Sequence, residues 1–180
     1  MKIRYFTGWL LGAWTSGSLF MILVATQNFR SVDRLLAEPR RAAGRIEQMG
    51  RDEARTFLRY QVSEQNRWYF ETWEKIQLAL GGALLVIAFT GLRERRSFGL
   101  LVMAMVALLA LERFYLTPEI VRLGRLIDFA PQAAPERDLF WRFHGAYSAV
   151  ELTKLALGFF LSVRIGRLDE KPSRSTMTGP

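Results

Sequence analysis

This sequence predicts an all-α fold: an antiparallel bundle of four transmembrane helices, with an amphipathic helical loop between the first two. Three observations lead there. Residues 5–26, 76–92, 98–117 and 140–163 hold most of the apolar side chains but only 5 of the 42 charged ones. At about 1.5 Å of rise per residue, such stretches approach or exceed a hydrocarbon core about 30 Å thick. The charges gather between them, so the mean hydropathy of +0.06 hides a strongly segregated chain.

The first span, 5–26, has no charged residue, and Lys2 and Arg4 precede it. That start resembles a signal peptide. Its apolar run is longer than a signal core, however, and Val24-Ala25-Thr26 makes a poor cleavage site, so a retained membrane helix is expected. Gly8, Gly12 and Ser16 form a small-xxx-small stripe suited to helix packing. Residues 27–72 are too charged for lipid and read as helix, with sparse apolar stripes at Val32, Leu35 and Leu36, then Ile46, Met49, Phe57 and Leu58. Pro39 is a break or first-turn residue, and Gly50 separates two helical pieces. This insertion reads as a solvated helical hairpin with pairs such as Glu47–Arg51, or as a surface for a partner or the membrane.

Residues 64–73 form an amphipathic lead-in to the second span, 73–92, with Trp73 at headgroup depth. Gly81 and Gly82 suit close helix approach there. A tight turn at 93–97 carries Arg93, Arg95 and Arg96 before the third span, 98–117. A long polar loop then leads to the fourth span, 140–163, and a Pro-, Ser- and Thr-rich tail, 168–180, reads as disordered. The membrane domain is therefore a single unit over 1–167. Basic residues crowd the membrane on the side of the termini and the short turn, while the long loops dilute theirs with acids. That density predicts cytoplasmic termini.

The absence of cysteine excludes disulfides, thiolate metal centres and c-type haem attachment, and a single histidine excludes a multi-histidine cage within one chain. The net charge of +8 follows from the positive-inside pattern and attraction to anionic headgroups, and no nucleic-acid motif accompanies it. No nucleophilic triad, paired-carboxylate site or phosphate-cradling glycine loop is present, so neither enzymatic activity nor a cofactor is expected.

Ionisable groups at membrane depth are costly and require a reason. His144, Tyr147, Ser148, Glu151, Lys154 and Gly158 fall at three- and four-residue steps, on one broad face of the fourth span. Glu151 lies close to the middle of that span, and Lys154 follows at i+3, placed for an intrahelical pair. Gln77 and Glu112 complete a candidate polar site; Arg113 is expected to snorkel, and Glu112 to reach Arg142 or His144. Two readings stand open: an inward pair that fixes helix packing, or a polar site for a proton, ion or small solute. Met103 and Met105, two apart, point to different helix faces and suit packing better than copper.

Several stretches combine into a pattern. They are 24–30 at the end of the first span, 66–73 and Gln77-Leu78-Ala79-Leu80-Gly81 at the second, Leu116-Thr117-Pro118-Glu119-Ile120 after the third, and 143–152 in the fourth. Over about residues 5–163 the chain resembles the transmembrane protein 205-like family, four-helix membrane proteins whose bacterial members are described as a domain of unknown function. The resemblance implies an integral membrane protein of the bacterial inner membrane and no catalytic residue. The family's eukaryotic members are associated with drug and metal resistance or secretion. The pattern is also similar to the four-helix unit of copper-resistance protein D, but the multiple His and Met ligands of such copper handling are absent from this chain. The expected role is a noncatalytic accessory subunit or homo-oligomer in the lipid bilayer. The alternatives are a small-solute, metal or drug export factor and a haem- or quinone-associated redox subunit.

Overall fold

A computed structural model describes residues 2–38, 43–90, 95–131 and 134–167, and every regular element among them is helical. The elements are α1 (Lys2–Ala37), α2 (Ala43–Met49), α3 (Arg51–Thr90), α4 (Arg95–Leu111), a π-helical turn (Glu112–Leu116), α5 (Thr117–Ile127) and α6 (Glu136–Arg167). Four helical stretches are long and apolar enough to cross a membrane: Ile3–Ala37, Arg51–Thr90, Arg96–Ile127 and Glu136–Gly166. Pro39, residues 93 and 94 of the turn at 93–97 and the tail at 168–180 lie outside the described residues, and the rest of that turn, 95–97, is the start of α4.

Helices overrun the apolar segments that initiate them. The 40 residues of α3 reach about 60 Å, twice the thickness of a hydrocarbon core. The charged segment 27–72 is therefore largely the continuation of α1 and the first half of α3, which pack on each other. Val32, Leu36 and Ala54 are buried there, with Ile46, Leu58 and Val62 against them. Leu35, Met49 and Phe57, from the same sequence stripes, are exposed. Gly50 separates α2 from α3, and its φ of +88° is a left-handed conformation that favours glycine. Because the helix breaks at Gly50, Arg51 does not pair with Glu47; it donates instead to the carbonyl of Leu36 at 3.2 Å.

The third long helix corrects the expected polar loop after Thr117. It continues to Ile127 through the π turn. Pro118 is the cause. In a regular α-helix its ring would press on the carbonyl of Phe114 and it has no N–H to offer. One extra residue in the turn relieves both problems, and the N–H of Thr117 donates to the carbonyl of Glu112, five residues back.

Among the described residues, α1 packs on α3 and α6, α3 on α4, and α4 on α6. Leu10, Leu11, Trp14, Leu84, Val102, Met105, Leu109 and Leu161 form the apolar core. Gly81 admits Val106 and Trp14, and Gly158 admits Thr15, so a Cβ at either would collide with a neighbouring helix. Gly8, Gly12 and Gly82 meet nothing within 4 Å, and Ser16 is exposed, so these predicted packing positions face outward in this chain.

Beyond the apolar segments a charged latch joins α3 to the end of α5. Arg67 donates to both oxygens of Asp128, at 2.9 and 3.1 Å, and also pairs with Glu64. Arg125 reaches Glu64 at 3.1 Å. The hydrogen bond from Arg125, helped by Arg67, holds the Glu64 carboxyl below the usual range, against the opposing effect of burial. Burial pushes Asp128 up despite its arginine.

A buried polar cluster as candidate functional site

Each of the four long helices sends polar side chains to one place. α1 contributes Ser18, α3 Gln77, the π turn Glu112, and α6 Glu151 and Lys154; all are buried, and Glu112 and Lys154 are wholly inaccessible. The register follows from helical periodicity. On α6, Tyr147, Glu151, Lys154 and Gly158 recur at steps of four, three and four and share the inward face.

Lys154 is the centre. Its Nζ donates to Gln77 Oε1 at 3.0 Å, contacts Glu151 Oε2 at 2.5 Å and forms a hydrogen-bonded ion pair with Glu112 Oε2. Gln77 and Glu112 accept hydrogen bonds from the ammonium, whereas Glu151 Oε2 faces it as a charge without one. Glu151 Oε1 accepts from the Ser18 hydroxyl at 2.8 Å and the Gln77 amide at 3.3 Å. The amide also donates to Ser18 Oγ at 2.9 Å, and the Trp73 indole reaches the same oxygen at 3.3 Å.

A second group adjoins the first. Glu74, wholly buried on α3, accepts a hydrogen bond from the Thr117 hydroxyl and faces Arg113 at 3.8 Å. Arg113 is partly exposed, so this end of the cluster meets the surroundings. Tyr147 is buried beside Glu74, its ring edge-on to Phe70 at 5.8 Å. Glu112 and Thr117 are five residues apart and would lie about 140° around a regular helix from each other. The π turn brings both inward.

The candidate residues therefore divide. Tyr147, Glu151, Lys154, Gln77 and Glu112 come together. His144 stays outside: its ring packs back along its own helix, stacked on Phe140 at 5.7 Å and edge-on to Trp141 at 5.6 Å, and it remains exposed. Ser148 is also exposed and bonds its own helix at the carbonyl of His144. Glu112 meets Lys154 rather than Arg142 or His144, because the third long helix runs on to Ile127 and leaves Glu112 inside the bundle instead of near a helix end.

Sequence reasoning missed Ser18, Glu74 and Thr117, and placed Trp73 at the headgroups rather than against α1. Glu74 sits one residue past Trp73, in a stretch that looks like the charged flank of a span. Its three-residue spacing from Gln77 was the available signal. Trp73 turns inward because Gly17 leaves room; a Cβ there would stand 2.0 Å from the indole. No group of three or more potential ligands among the described residues is arranged to hold a metal ion. Compared with protein-family models, curated proteins and solved structures, the chain matches none of them.

Proposed function

We propose that this chain is a multi-pass protein of the bacterial inner membrane, an antiparallel four-helix bundle with both termini cytoplasmic. Its role is that of a noncatalytic subunit or homo-oligomer, related to the transmembrane protein 205-like family. The inversion of polarity supports membrane insertion. Phe20, Phe89, Phe114, Leu152 and Phe159 are more than half exposed, while Glu74, Gln77, Glu112 and Lys154 are sealed inside. In water this arrangement would waste apolar surface and bury charge; in lipid the outward side chains meet hydrocarbon.

One observation carries the functional reading. Side chains from all four helices interlock through Lys154, and none of the interlocked groups is more than 5 % exposed. Such a knot fixes which helix faces meet, at a level where apolar packing alone discriminates weakly between rotations of a helix in lipid. The protein is thus suited to be a rigid membrane element. The charged hairpin formed by the end of α1, α2 and the start of α3 stands ready for contact with other chains.

Native mass spectrometry of the protein, gently extracted from its own membranes, tests this. Copies of the chain or additional subunits are the expected result. A lone monomer whose proteoliposomes carry a solute, with flux lost in Lys154→Met, would replace the proposal with transport.

A further inference from the structure

The polar cluster does not balance its own charge. It contains three buried carboxyl groups, Glu74, Glu112 and Glu151, against two cations, Lys154 and Arg113. Ionised throughout, it would leave one negative charge where an uncompensated charge is very costly.

The three carboxyls are not equivalent. Glu151 takes hydrogen bonds from Ser18 and Gln77 besides its contact with Lys154. Glu74 accepts from Thr117 and faces Arg113. Among the described residues Glu112 has Lys154 as its sole hydrogen-bond donor, and that lysine is shared with Glu151 and Gln77. Each of the three keeps one buried oxygen without a hydrogen bond, but that of Glu151 lies 2.5 Å from Lys154 and that of Glu74 3.8 Å from Arg113, whereas Glu112 meets Lys154 through Oε2 and leaves Oε1 bare. The groups facing Glu112 are Glu74 from α3 and Tyr147, Glu151 and Lys154 from α6. α1 brings no charge, only the Ser18 hydroxyl, because residues 5–26 have none.

From this asymmetry we propose that the cluster is a proton-binding site, with one exchangeable proton seated on Glu112. The bare Oε1 is where the proton binds. Glu151 and Glu74 each face a cation, Lys154 and Arg113. A proton suits the site better than a hydrated metal cation, because the surrounding side chains leave the centre closed to solvent. The inference rests on the membrane-bundle reading but not on the subunit role.

Infrared difference spectroscopy on the full-length protein in oriented lipid films provides the test. The wild type is expected to show a protonated-carboxyl stretch at neutral pH, amounting to one proton per chain, which shifts in deuterium oxide. Glu112→Gln should abolish the band. Lys154→Met, having lost a cation, should raise it to about twice the wild-type intensity, so the proposal does not depend on one variant. Absence of the band in folded wild type would overturn it, as would a band that survives Glu112→Gln. Displacement of the band by sodium or potassium at constant pH would assign the site to a metal cation instead. Polarised amide absorption from the same films reports helix tilt, so a failure of membrane insertion would be recognised separately.

Discussion

Lys154 shows how far a single buried charge depends on its neighbours. Its ammonium donates to Gln77 and Glu112 and lies 2.5 Å from a Glu151 oxygen, all on elements brought together only in the folded chain or one turn away. Removing one partner of a buried pair leaves the other uncompensated, at a cost of about 3–5 kcal/mol, whereas removing both can be nearly neutral. Lys154→Met is therefore expected to destabilise the protein by about that amount, measured by unfolding in mixed micelles. Combining it with Glu112→Gln and Glu151→Gln should recover most of the loss. If the triple variant were as unstable as Lys154→Met alone, the cluster would owe its stability to shape rather than to charge pairing. The i+3 contact between Glu151 and Lys154 was legible in the sequence from spacing alone. The contact with Glu112 was not, since it requires the depth of Glu112, and that depth is set by how far the preceding helix runs.

At the scale of elements, two helix–helix contacts hold the cluster in register, and both hinge on local backbone features. Gly17 on α1 accepts the Trp73 ring from α3, and the indole N–H then reaches Ser18. Gly17→Ala should cost about 1–3 kcal/mol by overpacking. Gly8→Ala and Gly12→Ala, which meet nothing within 4 Å, should stay within about 0.5 kcal/mol of wild type. Equal effects of the three changes in the same unfolding assay would contradict the packing described for α1 on α3. The small-residue stripe was visible in the sequence, but within one chain the α1 glycine that meets α3 is Gly17. Gly17 is one position off that stripe, and a helix turns about 100° per residue, so a one-residue misreading moves the interface to the side. The π turn was beyond sequence reading for a related reason. Pro118 signalled an end to the third helix, whereas the chain absorbs the proline with one extra residue and keeps Glu112 and Thr117 on the inner face. The same continuation carries α5 out to Asp128, where Arg67 closes the latch. Arg67→Gln should leave the Asp128 carboxyl, already pushed up by burial, to take a proton. Binding that proton makes the variant's stability fall as pH rises past the folded-state value for Asp128, a slope the wild type should show less strongly.

For the whole molecule the sequence was most informative where the physics needs no partner. The division between apolar spans and charged connections anticipated four long apolar helices, because length and hydropathy depend on no partner. It also anticipated helix within residues 27–72 and the break at Gly50, where the backbone takes a positive φ. The end-to-end fusion of that segment with α1 and α3 was hidden, since charged residues form helix as readily in water as apolar ones do in lipid. The proposed topology puts the α1–α3 hairpin and the Arg67–Asp128 latch on one side of the membrane and the termini on the other. The chain contains no cysteine, so single cysteines introduced into it can be labelled without background. Gln48→Cys, on α2 in the hairpin, should react with a membrane-impermeant maleimide added to intact cells whose outer membrane has been made permeable. Ser173→Cys, in the C-terminal tail, should react only after the inner membrane is opened. The reverse pattern would invert the topology and show that the total of basic residues outweighs their density beside the membrane. Labelling of both sites in intact cells would contradict an even number of crossings, and with it the four-span bundle.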